Sequence, residues 1–136
     1  MTNFSGRCFC GEVTWTSPGP KTQNLVCHCV DCQRASSAPF TGFIGLTPDT
    51  VTFSGEVNHY KSSEGTYRGF CPNCGTRLYF KSVNWPGEIH MHAATLDDPD
   101  SYEPDCHVVM RSSAPWIKLA DDLPKHSDFE AEPKES

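Results

Sequence analysis

No stretch of this 136-residue chain is apolar for long enough to form a membrane-spanning helix, and its mean hydropathy is −0.49. Residues 1–8, MTNFSGRC, lack the apolar run of a leader peptide. The expected compartment is therefore the reducing cytoplasm, where thiols stay free or bind metal instead of pairing. Basic residues are also scarce, with Lys+Arg 11 against Asp+Glu 17 and a net charge of −6. Six of the acids and two of the bases lie in residues 120–136, which leaves residues 1–119 close to neutral. A nucleic-acid binder needs a basic face to neutralise phosphates, so the charge balance argues against that class of partner. The expectation is one domain over residues 1–119, followed by an acidic, partly disordered tail over 120–136, which has two prolines and few apolar anchors.

Long amphipathic helical patterns are missing as well. Short runs rich in β-branched and aromatic residues take their place, at residues 12–16, 40–46, 51–53, 57–61, 66–70, 77–81, 88–94 and 106–110, each bounded by Gly, Pro, Asn, Asp or Ser. This predicts a small, mainly antiparallel β domain with at most short helices. One is expected after Cys32 through QRASSA, and another near LDDPDSY.

Cysteine is what the chain has in abundance: Cys8, Cys10, Cys27, Cys29, Cys32, Cys71, Cys74 and Cys106. CPNCG at 71–75 has the form of a zinc knuckle, two thiolates on a tight turn with Gly75 free to take positive φ so that amides face the sulfurs. CFCG at 8–11 is the compact half that completes it, Cys8 and Cys10 lying on one side of an extended strand. Cys8, Cys10, Cys71 and Cys74 together make a four-thiolate, closed, structural zinc site.

Cys27, Cys29 and Cys32 are then one ligand short. Three protein ligands and an open position are what a catalytic zinc keeps. Rivals for a fourth ligand are His28, disfavoured because alternation puts it on the opposite face, Cys106, which also reads as a small buried strand residue, and His107. Thiolate ligands leave zinc a modest Lewis acid, so positioning a sulfur substrate is a better use of the site than making hydroxide. Arg34, two residues past Cys32, is a candidate partner for a substrate carboxylate, set against its reading as a solvated surface arginine. His90, His92 and His107 are candidate proton carriers, while Phe40, Phe43 and Trp116 read as core.

The motifs Cys8-Phe9-Cys10-Gly11, Cys27-His28-Cys29-Val30-Asp31-Cys32, Phe70-Cys71-Pro72-Asn73-Cys74-Gly75-Thr76, and His107 through Ser112 to Pro115-Trp116 follow one another in an order that resembles the glutathione-dependent formaldehyde-activating enzyme (GFA) family, also called centromere-protein-V-like. The resemblance covers roughly residues 5 to 120. It implies an Mss4-like zinc-binding β architecture with two zincs, one structural on Cys8, Cys10, Cys71 and Cys74 and one substrate-facing on Cys27, Cys29 and Cys32. It also implies a carbon–sulfur lyase activity that joins glutathione, the small-thiol partner, to formaldehyde as S-hydroxymethylglutathione. Ser36-Ser37 stands where relatives often carry Ser-Gly. The competing reading is a non-catalytic zinc-stapled β module that binds a thiol or a protein.

Overall fold

A computed structural model describes residues 3–129. Seven strands form one sheet: β3 (Asn24–Cys27), β4 (Thr41–Leu46), β6 (Asn58–Ser63), β7 (Thr66–Phe70), β8 (Arg77–Ser82), β9 (Ile89–His92) and β10 (Cys106–Val108). Their spatial order is β10-β3-β4-β9-β8-β7-β6, antiparallel throughout except for β10, which runs parallel to β3. A second, three-stranded sheet orders β1 (Phe4–Arg7), β2 (Thr14–Ser17) and β5 (Thr52–Ser54). The single α-helix among the described residues, α1 (Val30–Ser36), follows β3 directly.

The architecture is the mainly β one expected, with two additions. β1 and β3 lie outside the predicted runs: FSGR offers a single large apolar residue, and NLVC merges into the cysteine motif. α1 also begins two residues before Cys32, because the Cys29 side chain caps it by accepting from the Cys32 amide at 3.2 Å.

Strand alternation divides the large sheet into two functional faces. Ile44, Leu46, Ile89 and Met91 point to one side and pack with Phe4 and Trp15 of the small sheet. Each such fully buried side chain contributes about 1.5–3 kcal/mol. Trp15 also donates from Nε1 to Thr95 Oγ1 at 3.0 Å, across a backbone approach so close that Gly6 has no room for a Cβ. The opposite face carries the paired row Tyr60, Arg68, Phe80 and His90, one residue from each of β6, β7, β8 and β9. That face is the floor of a cavity of about 480 Å³.

Part of the segment assigned above to the tail is built onto the domain. The amides of Val109 and Met110 donate to the carbonyls of Asp128 and His126, and the amide of His107 donates to that of Pro124. Buried His107 anchors the strap from the side chain, its Nε2 lying 2.8 Å from Asp121 Oδ2, while Lys125 donates to Asp121 Oδ1 at 3.0 Å. Residues 130–136 lie outside the described residues.

His107 first, then Lys125, hold the Asp121 carboxyl below the usual carboxylate range. A carboxylate depressed on folding stabilises the folded state above its ordinary pKa, and that stabilisation is lost as pH falls through the lowered value. The strap is therefore expected to loosen only on the acidic side. Asp121→Ala should bring the loosening to neutral pH, read as faster hydrogen exchange at the Val109 and Met110 amides with β4 still protected; unchanged exchange at those two amides would contradict the docking.

Candidate metal centres

The eight cysteines, none of them in a disulfide, fall into two convergent groups and one separate residue. The Sγ atoms of Cys8, Cys10, Cys71 and Cys74 all lie within 4.8 Å of one another, as do those of Cys27, Cys29 and Cys32. Cys8 and Cys10 are 3.6 Å apart and Cys10 and Cys71 3.8 Å. A disulfide needs about 2.05 Å. Four sulfurs about 2.3 Å from a shared tetrahedral zinc stand about 3.8 Å from each other.

Two knuckle turns build the four-sulfur group. In the first, the Gly75 amide donates to the Cys71 carbonyl at 2.8 Å with Gly75 at φ +83°, and the amides of Asn73 and Cys74 point at Cys71 Sγ from 3.4 Å. The second departs from the extended strand expected of CFCG. β1 ends at Arg7, and Cys8 to Gly11 make a turn closed by the Gly11 amide on the Cys8 carbonyl, with Gly11 at φ +85°. The turn wins because it aims the Val13 and Glu12 amides at Cys8 and Cys10 Sγ, at 3.3 and 3.4 Å, which a strand would spend on its ladder. The Thr76 hydroxyl, 3.1 Å from Cys74 Sγ, is the first cause that draws the Cys74 thiol down to about 5. Cys8 and Cys71 are fully buried, while Phe9 at the turn's tip is exposed.

The three-sulfur group belongs to one continuous segment: Cys27 ends β3, Cys29 caps α1 and Cys32 sits in its first turn. Among the described residues no fourth His, Cys, Asp or Glu joins this cluster. His28, disfavoured by alternation, lies outside the cluster and shares a hydrogen bond of 2.8 Å with His107 Nδ1. Cys106 is buried in β10, within the apolar cluster of Phe43, Val108 and Val109. Hydrogen bonds from Cys27 and then Cys32 pull the Cys29 thiol down to about 2, and the contact with Cys29 is the leading cause that pushes Cys27 up. Cys29 is the least buried of the three.

All three cysteines line the cavity. Arg34 lines it too, from the exposed side of α1. Of the histidines, only His90 is on its wall: Nε2 lies 2.8 Å from Glu88 Oε1, and Glu88 also accepts from Gln23 and Thr22 at 3.0 Å each. His92 is buried behind Phe43; burial first, then the Arg68 and Arg77 charges, lower it to about 4. His107 is committed to His28 and Asp121. Phe43 packs as core and also lines the cavity, whereas Trp116, expected in the core, is 71% exposed. Sequence reasoning missed Arg68, Arg77 and Phe80, because only sheet register brings β7 and β8 opposite a cysteine motif some forty residues earlier.

Comparison with known proteins agrees with the geometry. The profile of the family described as glutathione-dependent formaldehyde-activating enzyme matches residues 3–112. A Schizosaccharomyces pombe protein named as an uncharacterized lyase is 33% identical over 93 residues, 68% of each chain. A crystal structure of a Rhodobacter sphaeroides protein superposes with a TM-score of 0.57 over 71% of this chain and 92% of its own, at 18% identity, a likeness of fold.

Proposed function

The chain belongs to the glutathione-dependent formaldehyde-activating enzyme family, and from that premise we propose that it is a zinc-dependent carbon–sulfur lyase that joins a small thiol of the glutathione type to formaldehyde. The observation that carries this reading is the contrast between two sulfur groups: four on knuckle turns, and three in the wall of a 480 Å³ cavity. Soft thiolate donors in a tetrahedral arrangement suit zinc. Cys8, Cys10, Cys71 and Cys74 would hold one ion as a staple between the β1 turn and the β7–β8 connection, and Cys27, Cys29 and Cys32 a second.

Zinc bound by the three cysteines would supply the positive charge that keeps an arriving thiol ionised near neutral pH. The chain's own groups do the rest. Phe43, Phe80 and Trp85 line the cavity with apolar surface and limit water around the reacting atoms. Glu88, braced by Thr22 and Gln23, orients the imidazole of His90 by accepting from its Nε2–H, so that Nδ1 is the ring nitrogen left for proton exchange. In the reaction a sulfur–carbon bond forms, the carbonyl π bond breaks onto oxygen, and the proton lost by the thiol ends on that oxygen. His90 is the cavity residue placed to take up and return it.

Exchange spectroscopy by NMR on mixtures of glutathione and formaldehyde tests the proposal. Catalytic amounts of metal-loaded protein should accelerate formation and breakdown of the S-hydroxymethyl adduct by at least about a hundredfold, an effect within reach of general acid–base catalysis alone. Stripping the metal should remove it. Rates equal to those of the protein-free mixture would contradict the lyase reading and favour a binding module.

A further inference from the structure

The cavity wall is cationic in a protein that is acidic overall: Arg34, Arg68 and Arg77 line it against a single acid, Asp31. Two of these arginines are incompletely satisfied. Arg68 is only 7% exposed, and the Nη1 atoms of Arg68 and Arg77 are both buried without a hydrogen-bond partner. No ion pair among the described residues involves either guanidinium. Each lies over an aromatic ring instead, Arg68 4.8 Å from the Phe80 centroid and Arg77 5.7 Å from that of Phe70. A ring engages the flat face of a guanidinium and leaves its N–H edge for an acceptor. A buried N–H without an acceptor costs free energy.

The backbone shows how both side chains reach one face. Arg68 stands opposite Phe80 in the row that floors the cavity. By strict alternation Arg77 would follow Tyr79 to the other side. Between the pairs Gly69 with Tyr79 and Phe70 with Arg77, β8 carries one extra residue, and this bulge turns Arg77 back onto the side of Arg68 and Phe70. Arg68 and Arg77 line the same cavity as Cys27, Cys29 and Cys32, which places both guanidinium groups and the three-sulfur group around one space.

We propose that Arg68 and Arg77 form a carboxylate-binding subsite facing Cys27, Cys29 and Cys32, so that the cavity selects thiols that carry a carboxylate over neutral ones. This rests on the thiol reading above and names the residues that set its specificity. The two N–H edges match the two oxygens of a carboxylate, and Phe43, Phe80 and Trp85, lining the same cavity, offer apolar surface to the uncharged part of the ligand. Arg34 also lines the cavity, from an exposed position on α1, whereas Arg68 is buried and Arg77 half-buried.

Calorimetric titration of the zinc-loaded full chain with glutathione and with glutathione diethyl ester separates the two claims. Wild type should bind glutathione at least about tenfold more tightly than the ester. Arg68→Met should erase that preference by weakening glutathione alone, with ester affinity unchanged; Arg77→Met should act in the same direction, and Arg68→Lys should keep part of it. The wild-type comparison needs no variant, so it decides even where Arg68→Met fails to fold. Equal affinity for both ligands would overturn the carboxylate subsite and leave the thiol reading standing. Binding of neither would overturn both.

Discussion

Cys71→Ser is expected to leave the chain without a cooperative thermal transition at any metal concentration that saturates wild type. Cys71 is fully buried, accepts from two backbone amides, and lies 3.8 Å from Cys10 on the far side of 61 residues of chain. Thiolate zinc sites contribute about 10–16 kcal/mol to folding in small domains. A domain's whole stability is about 5–15 kcal/mol. A hydroxyl is a poor zinc ligand and would be left in a socket shaped for sulfur, so losing this one ligand removes an amount comparable to everything that holds the fold together. The readout is calorimetry, with near-ultraviolet circular dichroism as a check on Trp15 packing. A variant that melts cooperatively within a few degrees of wild type would contradict the structural role of this centre.

Cys29→Ser is expected to do the opposite: to keep the fold and lose the function. Cys29 is only partly buried, and its structural task is to accept from the Cys32 amide at the start of α1. Serine is among the best residues for that position, so the cap survives the exchange. The third sulfur of the cavity group does not survive it. Metal analysis should give wild-type zinc in the four-sulfur centre and little in the other, and acceleration of the glutathione–formaldehyde exchange should fall by at least about a hundredfold. A folded Cys29→Ser protein with full activity would place the chemistry elsewhere.

The two centres differed in how far the sequence revealed them. Both cysteine groups were legible because each half is local: C-x-C, C-x-x-C and C-x-C-x-x-C fix their own turns, and shared chemistry pairs the halves. Alternation alone disfavoured His28 as a ligand, in agreement with its hydrogen bond to His107. The form of the Cys8–Gly11 turn was not legible, since FCG suits a strand end as well as a knuckle, and the amides of Glu12 and Val13 decided it. Nor was the cavity's chemistry. Arg68, Phe80 and His90 meet through register across three strands, and Arg77 joins them only through a bulge, a two-against-one pairing that no local pattern announces. The strap of residues 120–129 was hidden for a related reason. Its composition is that of a solvated segment, and what holds it is backbone pairing to β10 and one carboxylate on a buried histidine.

The central claim is that one centre is closed by the fold and the other is completed by a substrate sulfur. Zinc K-edge X-ray absorption of the fully loaded chain, recorded before and after glutathione is added, tests it most directly. Four sulfurs on one ion and three on the other predict an average of about 3.5 sulfurs per zinc, rising to about 4 with the thiol. An average of four already present without glutathione, or one that does not rise when glutathione saturates the protein, would contradict the account.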